Sequence, residues 1–493
     1  MIAPARLLWV AAGAAMLAGG AAHAAAPTAE AAQLHKLLTR YHELGQLDGT
    51  VLVAERGKVV YQQAFGLANR EWKAPNTVDT AYRIASLTKQ FTATLVMQLV
   101  EQGKLRLDDK IGAYVPDLKP EIGNAVTIHQ LLNHTSGIVD YANYPGFWTG
   151  RLGNHVPRAD LLAIMNNPLE FTPGSSGHYN SSGYTLLGYT IEKITGKSFG
   201  QALGEMTLAP LGMTRSGIDV PERLVERKAF GYVRVLGAYQ HAAPVWMANL
   251  SAGGAMYSTV GDMLKWDQAL YGDKLLSAQS KRLMFTPYVK DDVWGDLGYG
   301  YGWMIGKREI AGKARLVHEH GGNGNGFRSL ITRYPDEQKL VLLLLNEGNG
   351  NKGPGIYAMR SAITNVIYKL PVAMPVPSLI DAIIASIDQR GAARTLAGFS
   401  TLRAANPPLR GADDLNGFAY QYVASGRHAD AIAVLKMNLV QFPQDANTWD
   451  SLGEIYLGQG DAASAAMHYQ KALDLNPKNT NAADVLRKLK DQK

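Results

Sequence analysis

Between Ala31 and Leu47 apolar residues recur at helical spacing. The pattern then switches to two β-rich runs, Gly49 to Glu55 and Lys58 to Gly66, around Arg56-Gly57, which predicts a helix followed by a hairpin. Phe91, Leu95 and Leu99 fall on one side of the run Gln90 to Gln102, so a second helix is predicted there, closed by Gly103 as a C-cap. From Asp108 to about Thr286 helical segments alternate with Gly- and Pro-rich loops. Strand patterns return at Arg315 to His320, Phe327 to Tyr334 and Lys339 to Asn346, the last two joined by Pro335-Asp336-Glu337, and a helix from Tyr357 to Tyr368 follows. A hairpin early and a meander late imply one antiparallel sheet built from both ends of a domain, with an all-α region inserted between them and helices on its flanks. The expected class is α+β.

Leu370-Pro371 to Pro377 reads as a proline-punctuated linker over 371–377, after which the composition shifts to Ala-rich helices. Trp449, Leu452, Gly453, Tyr456, Gly460, Ala465, Tyr469, Ala472 and Pro477 fit the tetratricopeptide pattern, and Leu415, Ala419, Tyr422, Gly426, Ala431, Leu435 and Pro443 stand about one period of 34 residues earlier. Ser378 to Asn406 reads as a degenerate helix pair in front, and Asn481 to Lys490 as a capping helix. The expected division is therefore 1–24, 25–370, a linker, and an all-α tetratricopeptide domain over 378–493.

The first 24 residues combine Arg6, an apolar run from Leu7 to about Gly20, and Ala22-His23-Ala24, which predicts an export signal cleaved after Ala24; a retained anchor is the alternative. No stable transmembrane segment is expected once it is removed, and the expected location is the periplasm. The absence of cysteine excludes disulfides and thiol chemistry. A net charge of +7 without a basic run or stripe argues against nucleic acid as a partner.

The candidate chemistry starts at Ser86 and Lys89, three apart and so on one helix face, where the amine can take the hydroxyl proton. A free lysine is protonated at neutral pH, so this pair requires an amine that is desolvated or near other cationic groups, in a site at least partly buried. If Ser86 opens the helix, its backbone N–H also points at an oxyanion formed on attack.

Ser86-x-x-Lys89, Leu131-Leu132-Asn133-His134-Thr135-Ser136-Gly137, Phe171-Thr172-Pro173-Gly174, Tyr179-Asn180-Ser181, Ala252 to Thr259, Tyr299 to Trp303 and His320-Gly321-Gly322 together resemble the serine β-lactamase and penicillin-binding-protein superfamily, nearest its class C and esterase-like branch, over about Leu34 to Tyr368. The resemblance implies Ser86 as nucleophile, Lys89 as base or proton relay, and Tyr179 as a partner in proton transfer whose phenol pKa would be lowered by nearby Lys89. It implies that Ser181, His320, Gly321 and Gly322 line the substrate site and that Asn323 supplies a second oxyanion N–H. His134, Trp303 and Gly253-Gly254 read as mainly architectural, with an acyl-pocket wall as the alternative for Trp303. No cofactor or metal is implied: His318 and His320 share a strand face without a third ligand at useful spacing, and Gly321 to Gly326 lacks the ending of a phosphate loop.

Two departures bear on substrate. Ser181 stands where the family usually has asparagine, and His320 where penicillin recognition uses lysine. The expected activity is cleavage of an ester, amide or peptide bond in a small-molecule or peptide substrate, esterase- or peptidase-like rather than efficient β-lactam hydrolysis. The alternative is a catalytically idle binding or sensory protein. The repeats supply none of the chemical residues, so a protein-partner role is expected for them, and a chain ending near Leu370 is expected to keep small-ester turnover.

Overall fold

The computed structural model describes residues 28–145, 147, 153–290, 296–348, 355–406, 408–409 and 411–491. The proposed export signal lies outside them. Among the described residues no helix is long and apolar enough to cross a membrane.

The organising element is an antiparallel sheet of strands β1 (Gly49–Glu55), β2 (Lys58–Phe65), β3 (Val289–Lys290), β4 (Gly298–Tyr299), β5 (Met304–Ile310), β6 (Lys313–Gly324), β7 (Phe327–Tyr334) and β8 (Lys339–Leu345), in spatial order β3-β4-β5-β6-β7-β8-β1-β2. The early hairpin joins the late meander through β1 and β8, with Val51 opposite Leu343 and Leu52 opposite Leu342. These central strands are apolar at nearly every position because both faces are covered. Leu52, Ala54, Leu340, Leu342 and Leu344 enter the core beneath the helical block. Val51, Val53, Val341, Leu343 and Leu345 face the flanking helices α1 (Ala29–Glu43) and the one spanning Gly355–Ile367.

The region between the two halves of the sheet carries α2 (Thr88–Glu101) and α3 (Ser181–Thr195). Its regular elements are mainly helices, with three small β features besides: a pair of Leu67–Asn69 and Ala74–Pro75, a three-strand ribbon of Tyr82–Arg83, Met256–Ser258 and Gly217–Ile218, and a hairpin of Tyr232–Val235 and Ala238–His241. Helix α1 stops four residues short of the expected Leu47, because the chain turns at Gly45, whose φ is +64°. Strand β6 runs four residues past His320 through the glycines, since β7 pairs with it as far as Gly324.

Residues 370–377 form neither helix nor strand. Beyond them α4 (Leu379–Arg390), α5 (Ala392–Ala397) and α6 (Phe399–Ala405) replace the expected helix pair by three helices, broken at Gly391 and Gly398. Then come α7 (Ala412–Ala424), α8 (His428–Gln441), α9 (Ala446–Gly458), α10 (Ala462–Leu475) and α11 (Thr480–Asp491). Leu415, Ala419, Tyr422, Ala431, Leu435 and Leu452 are buried in one cluster, and Ala465, Tyr469 and Ala472 in the next. Gly453 allows the Tyr469 ring to lie against the α9 backbone, where a Cβ would come within 2.9 Å of it.

Candidate active site

Ser86 lies in a 3-10 turn, Ala85–Leu87, that leads directly into α2. Ala85 ahead of it has φ +47°, a left-handed conformation uncommon for a residue with a Cβ, and such strain concentrates at functional sites. Lys89, one helical turn on, is 1% exposed. Its Nζ lies 3.2 Å from Ser86 Oγ and donates to the Gly253 carbonyl at 2.8 Å. Burial, opposed by the charge of Asp140, lowers its pKa from 10.5 to about 7. A neutral amine has two protons and one lone pair. With one proton on Gly253 O, the lone pair can face the serine hydroxyl.

Tyr179 stands just before α3, and its hydroxyl hydrogen-bonds Ser86. Lys89 Nζ lies 4.8 Å from the Tyr179 ring centroid. The expected lowering of the phenol pKa by Lys89 is not found. Burial raises it well above 10, and the bond to Ser86 offsets this only in part. The reason is that the same desolvation that makes Lys89 a base removes the cationic field a phenolate would need. Tyr179 is thus a neutral donor in the resting site, and Lys89 is the group beside Ser86 whose proton is held more weakly than usual.

The opposite wall is the end of β6. Strand β5 pairs with β6 only as far as Glu319, so among the described residues one edge of His320 to Gly324 has no neighbouring strand. Gly322 and Gly324 of this stretch lie against Ala85, the residue before Ser86. Gly322 is required there: a Cβ would overlap Ser329 Oγ and the Ile84 carbonyl, which are themselves hydrogen-bonded at 2.7 Å. His320 Nδ1 bonds the Gly321 carbonyl at 2.7 Å and must therefore carry the proton, so Nε2 accepts from Tyr299 Oη at 2.9 Å. Burial holds its pKa down to about 3. Both ring nitrogens are engaged and the ring is neutral.

Ser86, Tyr179, Ser181, His320, Gly321, Gly322 and Asn323 all line one cavity of about 620 Å³, with the Lys89 amine immediately behind Ser86. A larger cavity of about 840 Å³ lies beside α3, but no lysine or histidine accompanies the serines in its lining. Ser181 opens α3, and the cap of that helix is Asn180, whose side chain accepts from Gly183 N–H at 2.8 Å. His134, with φ +64°, accepts from Asn180 N–H at 3.2 Å and sets its ring 4.5 Å from that of Tyr179, so it orients the loop that carries Tyr179. Trp303 is fully buried beside Phe285 and does not line the cavity; Met304 does. His318 is stacked on Phe285 at 4.2 Å, inside the core.

Three participants escaped the sequence reading. Asp140 is a buried carboxylate on the cavity wall, held by Ala142 and Ser182 N–H groups, and burial raises its pKa. Gly253 acts through its carbonyl, on which no residue type depends. Tyr299 fixes the His320 tautomer. Tyr299 and Gly253 each stood in a quoted motif, Gly253 read there as mainly architectural, and Asp140 left no signal.

A family model described as Beta-lactamase matches residues 34–364. Penicillin-binding protein 4 of Amycolatopsis lactamdurans is 32% identical over 307 residues, 59% of this chain and 78% of the relative. Esterase EstB of Burkholderia gladioli is 33% identical over 261 residues, 44% of this chain and 64% of the relative. The crystal structure of a penicillin binding protein from Bacillus halodurans superposes with a TM-score of 0.58 at 30% identity, covering 66% of this chain and 98% of that one.

Proposed function

The chain belongs to the β-lactamase family of serine hydrolases, and from that premise we propose that it cleaves an ester, amide or peptide bond through an acyl-enzyme on Ser86. The observation that carries this reading is the buried Lys89 amine 3.2 Å from Ser86 Oγ, with its pKa brought to about 7. Lys89 takes the hydroxyl proton as Oγ attacks the carbonyl carbon. The oxyanion that forms is met by the backbone N–H groups of Ser86 and Asn323. Collapse of the intermediate breaks the bond to the leaving group, which takes its proton from the lysine directly or through the Tyr179 hydroxyl. Water then attacks the acyl carbon and gives its proton to the same pair; the bond from that carbon to Ser86 Oγ breaks, Oγ takes the proton back, and the acid is released.

The substrate reading is a short acyl ester or a peptide in preference to a penicillin or cephalosporin. A neutral His320 with both nitrogens engaged offers no charged donor to a β-lactam carboxylate. Arg328 also lines the cavity, with its Nε bonded to the Glu347 carbonyl at 2.9 Å. Export to the periplasm rests on the pattern of the first 24 residues. The spacing of buried residues in α7–α11 supports tetratricopeptide-type pairs, with a protein or peptide as their partner.

A fluorophosphonate probe followed by peptide mapping tests the mechanism. The expected adduct is on Ser86 and is absent in Ser86→Ala. Labelling elsewhere, or equal labelling of that variant, refutes it.

A further inference from the structure

The hairpin of Tyr232–Val235 and Ala238–His241 touches both the catalytic cavity's frame and the C-terminal helices. At its tip, Leu236 is partly buried and packs against the helical core. Its N–H donates to Gln421 Oε1 on α7 at 3.2 Å, and Arg234 reaches Asp381 on α4 at 3.6 Å. Leu236 and Gly237 have φ +48° and +82°, the signature of a type I′ turn, whose first position favours asparagine. A leucine there is locally unfavourable, so its presence is explained by the apolar seat that receives it.

At the hairpin's root the contacts turn to the active-site strand. Asn325 Nδ2 donates to Ala243 O at 3.3 Å. Gly326, with φ +76°, lies so close to Gly231 that a Cβ would come 2.5 Å from the Gly231 carbonyl carbon. Tyr232 N–H bonds Asn346 O at 3.1 Å and Gly348 N–H bonds Tyr232 O at 2.8 Å, extending the end of β8. The turn clamped in this way joins β6 to β7 at the pair Gly324 and Phe327, one residue beyond Asn323. One edge of that stretch is paired with β7 as far as Gly324, and the hairpin root adds a second support at the turn that ends it.

We propose that the C-terminal helical region helps to position the Asn323 oxyanion donor through this hairpin, which makes Leu236 and Arg234 positioning residues for the Ser86 reaction. The inference rests on the acyl-enzyme reading above. A two-stranded ribbon is marginal by itself, so it holds its shape only while both ends are anchored. On this proposal, removing the chain after Leu370 lowers small-ester turnover, the opposite of the expectation read from the sequence.

Leu236→Asn in the full chain isolates the seat from the turn, because asparagine suits the turn but not the apolar core. Three experiments are read against wild type: the kinetics (kcat and KM) of nitrophenyl butyrate, inhibition by phenylboronic acid, and hydrogen exchange of peptides spanning 321–328. Phenylboronic acid forms a bond from Ser86 Oγ to boron, with the hydroxyl proton passing to Lys89, and its tetrahedral adduct places an oxygen at the oxyanion site. Displacement of a reacting group by about 1 Å can cost about 100-fold, so a loss of roughly 10- to 100-fold is expected in kcat and boronate affinity together, with little change in KM. Faster exchange at 321–328 is expected with it, and Leu236→Met is expected to restore all three.

Wild-type kcat, boronate affinity and exchange in a folded Leu236→Asn overturn the proposal, as does a fall in kcat without a fall in boronate affinity. If near-UV circular dichroism shows that variant unfolded, Gln421→Ala decides by the same readings, and no change in it overturns the proposal. Wild type without Ser86-dependent turnover would instead refute the hydrolase reading, while exchange at 321–328 still judges the hairpin.

Discussion

Replacing Lys89 by methionine should abolish turnover and yet stabilise the protein at acid pH. The amine is 1% exposed and burial lowers its pKa from 10.5 to about 7. In the unfolded chain the lysine keeps its ordinary value, so between roughly pH 7 and 10.5 the unfolded state binds more protons and stability rises with pH across that window. Below pH 7 the burial cost is fully present, roughly 5 kcal/mol. Methionine is of similar length and apolar, and removes that cost. It also removes the bond to the Gly253 carbonyl and the contact with Ser86 Oγ, together about 2 to 4 kcal/mol once the stranded carbonyl is included. A net gain of about 1 to 3 kcal/mol is expected at pH 6. At pH 9 the remaining cost is only about 2 kcal/mol, so the gain vanishes or reverses. Urea unfolding of both proteins at the two pH values measures this. The informative quantity is the change in the wild-type to Lys89→Met difference, about 2 to 3 kcal/mol between pH 6 and 9, because groups common to both proteins cancel from it. A difference that stays the same at both pH values would mean that Lys89 is an ordinary ammonium, and the argument for it as base would fall.

The same lowered value predicts that kcat/KM for a neutral ester rises from acid pH and levels above about pH 7, as Lys89 loses its proton; a profile flat from pH 5 to 8 contradicts it. Tyr179→Phe should reduce turnover by roughly 10²- to 10⁴-fold while leaving that acid limb in place, and loss of the limb would assign it to the tyrosine. Gly322→Ala should lower turnover without unfolding the sheet, because its Cβ meets Ser329 Oγ and the Ile84 carbonyl beside the nucleophile; wild-type kinetics there would show that the strand need not approach so closely. Nitrophenyl butyrate should be a better substrate than nitrocefin by kcat/KM, and the reverse order refutes the reading of His320 as a weak carboxylate anchor.

How far the site was legible depended on how local each feature is. Ser86 and Lys89 could be paired because three residues apart on a helix fixes a distance. Tyr179 and His320 lie far along the chain, and only the order of several short motifs brought them to the same site. The sheet was legible from β1 and β8, whose apolar runs are long, and from β2 and β7, β-rich stretches joined to them across short turns. The short β3 and β4 and the glycine end of β6 were not, since their pairing is decided by tertiary contacts rather than by side-chain pattern. The Tyr179 pKa went in the opposite direction to the expected one for a similar reason. A sequence shows that a lysine is near a tyrosine but not that both are desolvated, and burial then outweighs their mutual field.

The proposed role of the C-terminal helices turns on a conflict of this kind at Leu236. Read locally, Val235-Leu236-Gly237 is a poor hairpin tip: a left-handed leucine costs roughly 1 to 2 kcal/mol, and its side chain would stand in water. Asparagine before glycine would relieve both faults. A natural sequence that keeps the unfavourable choice indicates a compensation outside the turn, and the structure supplies it in the apolar cluster of α4, α7 and α8 that receives the side chain. The local cost is offset only when the two regions are docked, so the hairpin's geometry depends on that docking. Because the hairpin's other end clamps the turn at Gly326, docking and the placement of Asn323 become one equilibrium rather than two. A ligand that altered the packing of α4 or α7 would act on the oxyanion edge through the same contacts, without touching the cavity.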